Sequence, residues 1–251
     1  MAERGWLERV VALSKPSWLA SHAPPPRELG PGLWSVDRLL GIPAGPRLPA
    51  RALLVDLPEG GVLAWSPVPL GDALRAFVQA RGGARFLVAP NSMHYLGLAE
   101  WKRAFPDAEI WLAPGLPARI ADVPRGRELL EGAATLFSGT LPHRVLDCGH
   151  GITEVAFFHA RSRTLLLVDT SFNLHPPARA LDRIGARLLG IPFRFGPTRS
   201  AKLIILRDRA VIAAWIEQLC AWDFSRIAMA HGEPLEAGPR ELRAAFARWL
   251  D

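Results

Sequence analysis

Cysteine is nearly absent from this chain: its 251 residues include only Cys148 and Cys220. Two cysteines make no disulfide framework, which excludes a small stapled scaffold. Tyrosine occurs once, at Tyr95, and lysine only at Lys15, Lys102 and Lys202, so arginine is the preferred cation. Long apolar runs are missing as well, and none approaches the roughly 20 residues needed to cross a bilayer. The first stretch, MAERGWLERVVALSKPSWLA, mixes acidic with basic residues and has no long apolar centre. It does not read as a secretory signal, so a cytoplasmic location is expected. No repeat of about 20–50 residues is present, which excludes a solenoid or a propeller.

What is present is core material. Hydrophobic residues make up 49% of the chain, enough for one sizeable domain or a pair of similar fused halves. The nine tryptophans and eleven phenylalanines are spread over every element. They read as packing residues rather than as a platform for stacking bases, so nucleic acid is not an expected partner. The net charge is +6, and residues 179–209 account for all of it: Arg179, Arg183, Arg187, Arg194, Arg199, Lys202, Arg207 and Arg209 stand against Asp182 and Asp208. Arg179, Arg183 and Arg187 are four apart and share a face if the stretch is helical. Such a stripe suits a solvated face, or a site for phosphate, nucleic acid or an anionic membrane surface.

Along the chain, residues 1–20 read as an amphipathic helix and 21–32, rich in proline and glycine, as a connector to one domain over 33–251. Strands are expected at 33–36, 52–57 and 61–67, with PEGG as the hairpin turn between the last two. A helix over 69–83, a buried strand over 84–90, a short helix near Trp101 and a strand over 109–114 follow, then a helix near 127–130. HRVLDCG, TEVAFFHA and RTLLLVDT form a second strand set, with ARSR as the turn between the last two. The helix over 207–223 is expected to bury Val211, Ala214, Trp215, Leu219 and Trp222; the strand SRIAMA and a helix over 239–250 close the chain.

Polar residues close or follow several apolar runs. His150 follows LDCG, Asp169 ends LLLV, and His231 ends IAMA; in the first half FLVAPNSMHYLGL offers His94. Strands ending in this way deliver their side chains to one edge of a sheet. Imidazole and carboxylate there suit a divalent metal such as zinc, or acid/base chemistry. Burying Asp169 without a partner would cost several kcal/mol, so it needs a metal, a cation or backbone amides. Glu154 opens the EVAFF strand and is expected to pair with an arginine. His22, His143, His159 and His175 read as structural or exposed.

The order of elements, together with LWSVDRLL, SPVPL, LVAPN followed by His94, the Trp101 helix, WLAPGL, EVAFFHARSRTLLLVDTSFNL and WDFSRIAMAHGE, resembles the metallo-β-lactamase fold superfamily. More closely, the chain is similar to a bacterial branch of it, the DUF4336 family. The resemblance implies an α+β (α/β) class fold, a four-layer αββα sandwich with metals at one edge of the two sheets. It departs from the superfamily pattern at the first motif, HxHxDH, where this chain has NSMHYL. GHGITEV, the aspartate after a strand and the final HG match at His150, Asp169 and His231.

The resemblance implies one divalent ion (zinc, iron or manganese) held by His94, His150, Asp169 and His231, with Asp169 and His231 central to hydrolysis. Tyr95, Arg183 and Arg187 are the candidates for contacting a small-molecule, anionic substrate. The depleted first motif supports a second expectation: a retired scaffold that binds an anion without metal.

Overall fold

A computed structural model describes residues 17–19, 24–41, 46–116, 123–130, 136–139, 141–148, 152–188, 190–191, 193–199, 201 and 208–250. Thirteen strands and five α-helices are present among them. The first sheet holds β1 (Ser17–Trp18), β2 (Arg27–Gly30), β3 (Leu33–Gly41), β4 (Arg47–Asp56), β5 (Val62–Trp65), β6 (Ala84–Ala89), β7 (Glu109–Leu112) and β8 (Arg127–Glu128). Its order is β1-β3-β4-β5-β6-β7-β8, with β2 paired to β3. The second sheet is ordered β13-β12-β11-β10-β9, from β9 (His143–Asp147), β10 (Thr153–His159), β11 (Thr164–Leu167), β12 (Arg226–Met229) and β13 (Leu235–Glu236).

The period of two along each central strand explains the layering. In β4 and β5, Leu53, Val55, Leu63 and Trp65 enter the core between the sheets, where they meet Val155, Phe157, Leu166, Val168 and Ala228. Their neighbours Ala52, Leu54, Val62 and Ala64 face outward under α1 (Gly71–Gln79) and α2 (Leu98–Ala104). On the other side Ala156, Leu165, Leu167, Ile227 and Met229 pack with residues of α4 (Arg209–Cys220) and α5 (Pro239–Leu250). Strands covered on both faces have no polar side to show, so they read as continuous apolar runs. The result is the expected αββα sandwich. A further helix, α3 (Ala180–Leu188), lies at the rim.

PEGG makes the β4–β5 hairpin, with Gly60 and Gly61 at φ of +82° and +80°. The structure departs from the sequence expectations in several places. Residues 17–18 and 27–30 form short strands on β3 rather than helix and connector; residues 1–16 lie outside the described part. Arg127–Glu128 pairs with β7 instead of forming a helix. α4 buries Trp215 and Leu219 as expected, but together with Ile212 and Ile216, while Val211 (42% exposed) and Ala214 face outward, because this face gathers both isoleucines against the sheet. No described helix is long and apolar enough to cross a membrane.

One buried histidine sits at the end of the sandwich remote from the C-terminus of β11. His159 pairs with Thr164 at the start of that strand, and its Nδ1 lies 2.7 Å from the Ser162 hydroxyl. Burial and the neighbouring Arg161 push its pKa down to about 4. The folded ring stays neutral where an unfolded one would take a proton, so stability falls as pH drops from about 6.5 toward 4 and is unaffected above that range. Denaturant titration at several pH values should show the wild type losing about 2 kcal/mol relative to His159→Gln by pH ~4.5. Parallel stability curves for the two proteins would contradict this assignment.

Candidate metal centre

The sheets bring four chain segments to one edge. Ser66 directly follows β5, Asn91 and His94 follow β6, Asp169 follows β11 and His231 follows β12. β5 and β6 are parallel, as are β11 and β12, so these are all carboxyl ends of strands, the usual place for sites in such sheets.

Asp169 is the centre of the group. It is 5% exposed, and its Oδ1 lies 3.4 Å from His94 Nε2 and 3.3 Å from His231 Nε2. Its Oδ2 accepts a 2.5 Å hydrogen bond from the Asn91 side-chain amide. Burial alone would raise the carboxyl pKa; the two facing imidazoles outweigh it and hold the group well below the usual carboxylate range.

The histidines are oriented from behind. His231 Nδ1 lies 2.7 Å from the main-chain carbonyl of Pro49. A carbonyl can only accept, so Nδ1 carries a proton, and Nε2 is the ring nitrogen turned toward Asp169. Phe172 stacks on the same ring, with centroids 4.8 Å apart and planes 7° apart. His94 Nδ1 lies 2.8 Å from the hydroxyl of Ser66, a non-glycine residue held at φ +51°. Strained backbone of this kind persists only where its surroundings enforce it. Asn91 Oδ1 accepts from the amides of Met93 and His94, which shapes the NSMHY turn.

Whether these residues suit a metal is decided by the donor set and its spacing. An imidazole nitrogen and a carboxylate oxygen that face each other need a proton or a metal cation between them. Charge-assisted N–H···O bonds are about 2.7–2.9 Å long, shorter than either separation here. Bonds of about 2.1 Å to a tetrahedral ion place its ligands about 3.4 Å apart, close to both. One ligand atom from each of His94, Asp169 and His231 lies within 4.8 Å of the others. Two nitrogens and one carboxylate oxygen with positions left open fit zinc or ferrous iron. The cluster fits one divalent ion.

Two supports reach into the site from opposite sheets. Glu154 pairs with no arginine: it accepts from the amides of Val168 (3.0 Å), Asp169 (2.9 Å) and Thr170 (2.9 Å), and from the Thr170 hydroxyl (2.7 Å). Burial and the nearby Asp169 push its carboxyl up to about 7, against those four bonds. Every donor in this cradle serves an acceptor, and the cradle fixes the backbone that carries Asp169. From β4, Arg51 pairs with Asp37 at 2.7 Å and donates to the carbonyls of Met229 and Gly232, clamping the His231 loop. Gly232 has φ +99°, and a Cβ there would lie 2.1 Å from the Asn173 carbonyl oxygen, so the HG pair needs its glycine.

Of the residues singled out from sequence, His94, Asp169 and His231 come together. His150 lies outside the described residues. The half-buried Tyr95 ring packs against the outer core beneath the helices. Arg183 and Arg187 lie on α3, where Arg183 donates to the carbonyls of Pro177 and Ala178 and Arg187 covers the Phe193 ring. Ser66, Pro49 and Phe172 are functional neighbours that the sequence did not single out. Ser66 lies in the SPVPL stretch of the family resemblance, but nothing in its surroundings along the chain marks its role.

A family profile described as "Domain of unknown function (DUF4336)" matches residues 31–182. Among curated proteins, none matches this chain. The fold is similar to a metallo-β-lactamase from Erythrobacter litoralis (TM-score 0.60, 16% identity, over 96% of this chain and 97% of that one). It is similar to the metallo-β-lactamase FIM-1 from Pseudomonas aeruginosa in its mono-zinc form (0.59, 13%, 92% and 96%). A third similar structure is the Flv1 flavodiiron core from Synechocystis sp. PCC6803 (0.57, 12%), where 91% of this chain spans 60% of that one. At such identities the likeness establishes the fold.

Replacing Glu154 by Gln turns an acceptor into a donor facing backbone amides. This should destabilise the protein by about 1–3 kcal/mol in denaturant titrations. Unchanged stability would show that the cradle does not hold the Asp169 turn.

Proposed function

The chain belongs to the DUF4336 family, and from that premise and its metallo-β-lactamase fold we propose that it is a mononuclear metal-dependent hydrolase. Its substrate would be a small anionic ester or phosphoester. The carrying observation is that two imidazole Nε2 atoms face a single carboxylate oxygen at 3.3 and 3.4 Å, one of them with its proton committed to the Pro49 carbonyl.

His94, Asp169 and His231 would hold the ion; His150, the fourth expected ligand, lies outside the described residues. Such an ion supplies a bound water acidic near neutral pH and polarises the scissile group. The protein's own groups set the stage. Pro49 holds the proton at His231 Nδ1, and Ser66 holds the His94 ring in line. The Asn91 amide occupies Asp169 Oδ2, which leaves Oδ1 free for the cation. Phe172 shields one face of His231 from water. Tyr95, next to His94, is the candidate for a hydrogen bond to the substrate.

Protein purified without chelator should carry about one zinc, iron or manganese ion per chain by mass spectrometry. An Asp169→Ala/His231→Ala variant should lose that ion while keeping its circular dichroism. Turnover in ester and phosphoester screens should vanish with the metal and return on its addition. A folded wild type that takes up no metal even on reconstitution would overturn the proposal in favour of a metal-free anion-binding scaffold.

A further inference from the structure

The helix α3 is oriented the wrong way round for a surface helix of a globular domain, whose apolar stripe ordinarily faces the core. Its inward side is small or charge-paired. Asp182, 4% exposed, accepts from Arg47 Nε at 2.9 Å and lies 2.8 Å from the Nη2 of the same guanidinium. Gly185 lies against Pro46, and Ala186 packs with Leu48, Phe172 and Ile191. Its outward side is apolar: Leu181, Ile184 and Leu188 are 64%, 52% and 83% exposed, at a spacing that puts all three on one helical face.

Charge identifies the partner. Arg179 and Arg187 are exposed beside that stripe, and the one acidic residue of the helix, Asp182, is turned inward onto Arg47. Residues 179–209 carry the whole net charge of the chain, +6. A short helix with an exposed leucine and isoleucine stripe bordered by arginines is suited to the boundary between lipid headgroups and acyl chains. Self-pairing about a two-fold axis would instead bring the arginines of two copies together. The stripe has no aromatic residue on which nucleic-acid bases could stack.

We propose that α3 is an interfacial helix that docks this protein on an anionic lipid surface, with Leu181, Ile184 and Leu188 entering the headgroup boundary and Arg179 and Arg187 contacting lipid phosphates. Ala186 and Phe172 belong to one buried cluster and Phe172 stacks on His231, so docking would place the candidate metal centre behind α3 and Phe172.

The test is co-sedimentation of the full chain with vesicles of phosphatidylcholine containing about 30% phosphatidylglycerol, beside vesicles of phosphatidylcholine alone. Expected is binding to the anionic vesicles, roughly tenfold or more weaker on neutral vesicles or in ~0.5 M salt. A Leu181→Glu/Leu188→Glu variant should bind the anionic vesicles at least about tenfold more weakly while keeping its melting temperature. No binding by folded wild type, or equal binding to neutral vesicles, would overturn the proposal. So would a variant that melts markedly earlier, showing the stripe to be covered within the chain, or one that only converts a dimer to a monomer. These readouts are independent of metal content, so failure here leaves the hydrolase proposal standing.

Discussion

A carboxylate buried at the junction of two sheets, Asp169, sets the terms for everything around it. An uncompensated charge at that depth would cost several kcal/mol. The chain answers it with an amide on one oxygen and two imidazoles on the other. One imidazole is held by the carbonyl behind it, with its Nε2 turned toward the carboxylate. The sandwich architecture is what allows this: His94 comes from one sheet, Asp169 and His231 from the other, and they meet because the inner faces of the two sheets pack on a shared core.

The supports cross between the sheets in the same way. β4 of the first sheet grips the His231 loop of the second through the Pro49 carbonyl, the Arg51 amide on the Ala230 carbonyl at 2.8 Å, and the Arg51 guanidinium. In return, β10 of the second sheet meets the turn that carries His94: Val155 donates to the Pro90 carbonyl at 2.8 Å, and Asn91 bridges to Glu154. This edge of the sandwich is thus laced by main-chain bonds, which holds the side chains of the site without a disulfide; both cysteines are free.

Much of this was legible in the sequence, for reasons that can be named. Strands buried on both faces leave unbroken apolar runs, so a lone aspartate or histidine at their ends stands out; Asp169 and His231 were readable for that reason. The layers were readable from the strand sets and their flanking helices. Pro49 was not readable, because it acts through a carbonyl that every residue has. Ser66 acts through its hydroxyl, from an unusual backbone angle, and Glu154 through amides 14 to 16 residues away in sequence. On α4, Trp215 and Leu219 were placed correctly, but Val211 and Ala214 fit a helical period as well as Ile212 and Ile216 do, and only the opposing sheet decides between them. Arg127–Glu128 became a strand through pairing with β7, a non-local contact that local pattern does not carry.

The most direct test of the account is histidine nitrogen NMR of the metal-free protein during titration with zinc. The account predicts that His231 holds its proton on Nδ1 throughout, and that the Nε2 resonances of His94 and His231 shift together as one equivalent binds. A His231 protonated on Nε2 alone, or Nε2 resonances of both histidines unmoved at saturating zinc, would contradict it.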